Sequence, residues 1–352
     1  MELLMTTEQT DTVLLNRYSS MQTGCAVEYT SQDLLGLVEE IRALKKQHNA
    51  VVLSHYYMPA ELQITTEHGG IADFVGDSLG LSRAAMDVEA DYIIFCGVKF
   101  MAETAFILNP NKKVLLPNHD AGCSLASSIT GADVVALKAQ YPGVPVIAYV
   151  NTYAETKAEC DICCTSRNAL AIAESFESDT LIFLPDKFMG RNLQRVITEK
   201  TGKKMILWEG ACEVHEQFTP GRIAGMQAMN PNAAVLVHWE VPDDAVVQAL
   251  ANAPGIVGST SDIIRYVGES PMTEFILGSE CDLGATLQGL YPEKSFVTPC
   301  IQCPHMKRIT LENTRDALRS IGTPLEAKYV IDVPEDIRSR ALLPIERMME
   351  FN

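Results

Sequence analysis

The sequence predicts an α/β fold built from three related units of roughly 90 residues each. Strand-like and helix-like patterns alternate along the chain from Ser31 onward. Local motifs recur in one order: Ser78, Ser166 and Ser259 stand 88 and 93 residues apart, and the pairs Phe100-Met101 and Phe188-Met189 stand 88 apart. Cys123, Cys212 and Cys303 keep the same register, 89 and 91 residues apart, each just beyond a strand pattern. One larger doubly wound domain is the alternative, because strand–helix alternation by itself can imitate repetition.

After an irregular opening of roughly 30 residues, SQDLLGLVEEIRALKKQHN carries its apolar residues at helical spacing. VVLSH is a short buried strand, and DFVGDSLGLSRAAMDVEA is a helix with Asp77 or Ser78 placed to cap it. DYIIFCGV, KFMAETAFILN and KVLLPN then read as strand, helix and strand. The second pass runs VPVIAYV, CTSRNALAIAESF, TLIFLP, DKFMGRNLQRVITEK and KMILW. The third runs AAVLVHWEVP, STSDIIRYVGES, MTEFILGSE and SFVTP. Alternation of this kind favours mostly parallel strands.

With 47% apolar and 21% charged residues over 352 positions, the chain has the composition of a folded protein rather than a disordered one. A net charge of -17 disfavours nucleic-acid binding and gives no basis for a polybasic membrane anchor. It does not exclude an anionic substrate, since an anion site is local. The N-terminus carries acidic residues early and lacks a basic region before an apolar stretch, unlike a secretory signal. No apolar run of about 18 residues reads as a membrane span. A cytoplasmic protein with reduced thiols is the expectation.

Ten cysteines are then most informative by position. Cys123, Cys212 and Cys303 each precede a helical stretch, and three repeats about a pseudo-threefold axis would bring them together. Three converging thiolates suit an iron–sulfur cluster or zinc, and thiols without metal are the remaining reading. The absence of a fourth repeat favours a [4Fe-4S] cluster with one open iron, although histidine or water could complete a zinc site. Cys96 reads as core, Cys25 and Cys281 as structural thiols. The Cys160-Asp161-Ile162-Cys163-Cys164 run reads as a loop in which packing or redox sensitivity is favoured over ligation. Cys300-x-x-Cys303 resembles a redox pair, with Cys303 claimed by the repeat and Cys300 left as a disulfide partner or neighbour.

A second set of repeated residues lies at the ends of the first strands: His55 and Tyr57, Tyr149 and Asn151, His238 and Glu240. Parallel α/β units place ligand groups at this edge, and these side chains supply proton transfer and oxygen recognition. Loop capping and packing would explain any one of them alone. Ser78, Ser166, Ser259 and Thr260 sit where helices begin, as N-caps or as an anion-binding set. No GxxxxGK[ST] run supports ATP hydrolysis, and no GxSxG elbow supports acyl transfer.

The succession SHYYMP, DFVGDSLGLSR, CGVKFMAETAFILNP, AYVNTYAETKA, CTSRNA, LPDKFMGRNL, WEGACEVHEQF, VHWE, GSTSDII and CPHMK closely resembles the quinolinate synthase family of NAD biosynthesis. The resemblance implies three similar three-layer α/β/α domains about a pseudo-threefold axis, at 35–120, 121–208 and 209–330, the third including the last cluster ligand. An N-terminal extension, 1–34, would precede them, and a C-terminal segment, 331–352, would pack on the core. It implies one [4Fe-4S] cluster per subunit on Cys123, Cys212 and Cys303 with one open iron. It also implies condensation of iminoaspartate with dihydroxyacetone phosphate to quinolinate, phosphate and two waters. The functional links would be to an iminoaspartate-producing enzyme and to iron–sulfur assembly machinery.

Carried onto this chain, substrate binding falls to His55, Tyr57, Ser78, Tyr149, Asn151, Ser166, His238, Glu240, Ser259 and Thr260. Glu240 would lead the acid/base work, with His238, His55, Tyr57 and Tyr149 beside it. The chain departs from many members in Trp239, which stands where they have proline, and in having only Cys300 and Cys303 near the last ligand. A different open-cluster hydro-lyase on a small carboxylic acid, and a non-catalytic iron–sulfur or zinc redox protein, are the competing functions.

Overall fold

The computed structural model describes residues 6–22 and 28–351, so Cys25 lies outside the described residues. Its first element is a helix that the sequence reading leaves inside an irregular lead. Thr6 Oγ1 accepts the Gln9 N–H while Gln9 Oε1 accepts the Thr6 N–H, a capping box that opens α1 (Thr7–Ser20). Its one-sided face is short, burying Leu14 and Tyr18, which is why periodicity passes over it.

The first unit follows as α2 (Ser31–Gln47), β1 (Ala50–His55), α3 (Ala60–Gln63), β2 (Phe74–Gly76), α4 (Ser78–Asp87), β3 (Tyr92–Cys96), α5 (Lys99–Leu108) and β4 (Lys113–Leu115). The second is α6 (Gly131–Gln140), β5 (Val146–Tyr149), α7 (Ala154–Lys157), β6 (Ile162–Cys164), α8 (Ala169–Ser175), β7 (Thr180–Leu184), α9 (Lys187–Thr201) and β8 (Lys204–Leu207). The third is α10 (Pro220–Met229), β9 (Ala234–His238), α11 (Asp243–Asn252), β10 (Gly255–Gly258), α12 (Thr260–Glu269), β11 (Glu274–Gly278), α13 (Asp282–Leu290) and β12 (Ser295–Val297). Two helices close the chain, α14 (Leu311–Ser320) and α15 (Glu335–Met349).

Among the described residues, three separate four-stranded sheets replace the alternative of one large sheet. Their orders are β2-β1-β3-β4, β6-β5-β7-β8 and β10-β9-β11-β12, and every pairing within them is parallel. The three units thus share one topology, each sheet flanked by helices. The cysteine-rich run read as a loop is partly β6, with Cys163 and Cys164 buried in that edge strand as free thiols.

Packing divides the molecule unevenly. One apolar cluster runs through the first two units and the C-terminal segment, from Leu53, Phe95 and Phe100 to Ile147, Phe183 and Ile345. The third unit holds two smaller clusters, one around Phe218, Val235 and Val246, the other around Leu236, Phe275 and Leu287. After β12 the chain returns to the first unit: α14 packs on α2, and Leu115 bridges to Val330, with Leu116 N–H donating to Tyr329 O at 2.8 Å. α15 then lies against α5, α7 and β6. Among the described residues no helix is long and apolar enough to cross a membrane.

Candidate functional site

The central strands β1, β5 and β9 end in His55, Tyr149 and His238, so their C-terminal edges deliver the first functional side chains. The loops after β4, β8 and β12 deliver Cys123, Cys212 and Cys303. All of these line one cavity with about 690 Å³ of space free of protein atoms, counting its mouth. Tyr57, Ser78, Asn151, Ser166, Glu240 and Thr260 line it too. Of the expected substrate-binding residues and cluster ligands, Ser259 does not. Its Oγ accepts the Asp262 N–H at 3.1 Å and donates to Asp262 Oδ2 at 2.7 Å, so it is committed to capping α12.

That cap is the exception among the three serines. Asp77, not Ser78, caps α4 by accepting the Gly80 N–H at 2.8 Å, and α8 starts at Asn168 without a side-chain cap, two residues after Ser166. The hydroxyls of Ser78 and Ser166 therefore do not serve as caps.

Glu240 is the most heavily engaged group. Tyr149 OH donates to its Oε1 at 2.6 Å, and His215 Nδ1 lies 3.2 Å from its Oε2. Burial pushes its pKa up, but the neighbouring His215 and the Tyr149 hydroxyl prevail and hold the carboxyl well below the usual range. His215 was not singled out in the sequence. It sits three residues after Cys212 on a 3-10 turn, its ring stacked on His238 at 4.7 Å and its Nδ1 3.3 Å from Cys212 Sγ. The spacing Cys212-x-x-His215 was the available signal, masked because the repeat drew attention to the cysteine.

The two strand-end histidines are set as donors. Tyr57 N–H donates to His55 Nδ1 at 3.1 Å, and Glu240 N–H to His238 Nδ1 at 3.3 Å. Burial lowers both pKa values to about 3, so each is neutral with its proton on Nε2. Tyr57 OH pairs with Thr260 Oγ1 at 3.1 Å and Ser279 Oγ at 3.0 Å, joining the first unit to the third. Asn151 Oδ1 is buried with no hydrogen-bond partner among the described residues, an acceptor left for a ligand.

Burial pushes the Cys123 thiol up to about 12, Cys303 to about 11 and Cys212 well above its ordinary value. Cys303 opposes ionisation of both Cys123 and Cys212, and Cys123 opposes that of Cys212. Thiols so reluctant to ionise become thiolates when a cation compensates them, and a soft donor set of this kind fits an iron–sulfur or zinc centre. Cys212, His215 and Glu240 form a narrower group, with ligand atoms within 4.8 Å of one another. Glu280, Cys281 and Asp282 form a second such group, where Lys307 lies 3.0 Å from Glu280 and also pairs with Asp282. Cys300 is disulfide-bonded while Cys303 is a free thiol, so the Cys300–Cys303 pair suggested by the C-x-x-C spacing is not formed.

The family model described as Quinolinate synthetase A protein matches residues 39–350. Quinolinate synthase 2 of Mesorhizobium japonicum is 45% identical over 314 residues, covering 89% of this chain and 91% of that protein. Quinolinate synthase of Caulobacter vibrioides is 43% identical over 319 residues, covering 90% and 82%. That of Xylella fastidiosa is 41% identical over 312 residues, covering 89% and 86%.

Proposed function

Since the chain belongs to the quinolinate synthetase A family, we propose that it is a quinolinate synthase of NAD biosynthesis, condensing iminoaspartate with dihydroxyacetone phosphate. Quinolinate, phosphate and two waters would be the products. The observation that carries this reading is the opening of Cys123, Cys212 and Cys303, from three equivalent loops, onto the cavity that holds the Tyr149–Glu240 pair. In this reading the units surround a pseudo-threefold axis, and the three cysteines hold one [4Fe-4S] cluster with an open iron. When bound, the cluster supplies Lewis acidity for loss of a hydroxyl leaving group.

The protein's own groups divide the remaining work. The Nε2–H donors of His55 and His238 hold carboxylate or carbonyl oxygens, and their neutrality keeps them in that role near pH 7. Asn151 Oδ1 accepts from an amine or hydroxyl of the condensing intermediate. Ser78, Ser166 and Thr260 bind the anionic ends, carboxylate and phosphate, while Ser259 shapes the start of α12 beneath Thr260. Glu240, ionised and aimed by Tyr149 and His215, removes and returns protons. Tyr57, tied to Thr260 and Ser279, acts as an orienting hydroxyl. The buried cavity keeps bulk water from the imine, and near-attack placement supplies the condensation.

Anaerobically reconstituted protein given both substrates should form quinolinate, and oxygen should remove the cluster absorption and the activity together. Fully loaded protein that yields none would exclude the assignment. Dehydration of a single carboxylic acid without triose phosphate would identify another open-cluster hydro-lyase. Zinc without iron or sulfide would favour a mononuclear centre at Cys212, His215 and Glu240, the compact group noted above.

A further inference from the structure

What holds the three cysteine loops differs from unit to unit. Main-chain bonds establish equivalent positions: the N–H groups of Lys99 and Lys187 donate to Ala121 O and Gly210 O at 2.8 Å, and that of Cys281 to Ile301 O at 3.1 Å. Each acceptor lies two residues before Cys123, Cys212 or Cys303. The residue just before each donor is therefore the structural counterpart of the others: Val98, Asp186 and Glu280. All three are buried, at 2%, 1% and 0% exposed.

Two of them are carboxylates, and both reach a cysteine. Asp186 Oδ2 accepts the Cys212 N–H at 3.2 Å, and Glu280 Oε1 accepts the Cys303 N–H at 3.1 Å. Ordinary structural duty accounts for the other oxygen of each. Asp186 Oδ1 caps α9 through the Met189 N–H at 2.7 Å, and Glu280 Oε2 accepts the Asp282 N–H at 2.7 Å, while Glu280 Oε1 is shared between the Cys303 N–H and Lys307 Nζ, 3.0 Å away. A serine would cap α9 about as well without burying a carboxyl group. Val98 offers Cys123 no acceptor at all.

Resting on the reading that these cysteines hold the cluster, we propose that Asp186 and Glu280 are positioning residues for it. By fixing the main chain of Cys212 and Cys303, they set the direction in which each Sγ leaves its loop. The Cys123 corner relies on apolar backing instead. Outer groups that orient metal ligands contribute roughly 10–100-fold to metal retention.

The test is the rate at which substrate-free, anaerobically loaded protein loses iron to a chelator, alongside the melting midpoint of the metal-free form. Asp186→Ser keeps the helix cap and should keep the midpoint, yet lose iron roughly 10–100-fold faster. Glu280→Ala and Glu280→Gln both give up the buried ion pair with Lys307 and should share a lowered midpoint, yet only Glu280→Ala should lose iron roughly 10–100-fold faster, because Glu280→Gln retains a carbonyl oxygen for the Cys303 N–H. Wild-type iron retention in both Asp186→Ser and Glu280→Ala would overturn the proposal. So would Glu280→Gln as leaky as Glu280→Ala, or an iron loss in Asp186→Ser that merely follows a lowered midpoint. Wild-type protein unable to load iron and sulfide would instead overturn the cluster reading beneath it, and this proposal with it.

Discussion

The first and second units meet mainly through apolar side chains, whereas the third meets both through hydrogen bonds and buried charge. A single apolar cluster crosses the first seam, with Glu103 accepting the Ala154 N–H as a polar exception. Across the others run Tyr149 to Glu240, Tyr57 to Thr260 and Ser279, Asp77 to Ser261, and Asn192 Nδ2 to the carbonyls of Trp239 and Val241 at 2.9 Å. Apolar burial is strong but non-directional, while hydrogen bonds prescribe distance and angle. The polar seams are therefore where atoms can be set for chemistry, and the apolar seam provides the stiffness behind them.

The largest effect tests whether the site truly spans all three units. Cys123→Ser, Cys212→Ser and Cys303→Ser should each abolish stable iron and sulfide incorporation, whereas Cys96→Ser should leave it intact and affect packing. Normal metal content in Cys123→Ser would confine the centre to the Cys212–His215–Glu240 group. Next, Glu240→Gln should keep the cluster but lower turnover about 10²–10⁴-fold; turnover near wild type would remove its acid/base role.

On the apolar side, Ile345→Ala in α15 should cost about 2–5 kcal/mol in a denaturation curve without changing iron content. Metal loss at unchanged stability would show that this seam, too, sets the site. Glu61, in α3 and near Asp282 and Lys307, probes the polar seam by pH. Burial, with help from Asp282, raises its pKa from 4.5 to about 7. The folded state thus holds that proton more tightly than the unfolded chain. Its contribution is full below about pH 4.5 and lost as pH rises through about 7. Glu61→Gln should accordingly gain stability over wild type as pH rises from 5 to 8, by at most about 3 kcal/mol. A pH-independent difference would refute the buried titration. Smallest, Thr6→Ala should cost about 1 kcal/mol by removing the cap of α1, read as a lower melting midpoint with unchanged metal content.

Much of this was legible because repeats impose spacing. The three sheets and the three cysteines follow from intervals alone, and the strand-end residues from where parallel sheets place their ligands. What stayed hidden has local causes. α1 announces itself through Thr6 and Gln9 rather than through periodicity, and β6 is disguised by its cysteines. Ser78, Ser166 and Ser259 look alike in sequence, yet only Ser259 caps a helix, because the choice depends on one residue of register. His215 acquires its position from a 3-10 turn that periodicity does not reveal. The return of α14 and α15 to earlier units is a long-range choice that no local pattern encodes.

That return has a consequence for biogenesis. Leu115 at the edge of the first sheet is bridged by Val330, 215 residues later. At ordinary translation speeds of about 5–20 residues per second, the partner emerges roughly 10–40 s after the strand it covers. The unit synthesised first is thus completed last, and an uncovered parallel-sheet edge is a template for wrong pairing in the interval. Yield in a living cell should then respond to chaperone supply and to the elongation rate over the codons between Leu115 and Val330, independently of how stable the finished protein is.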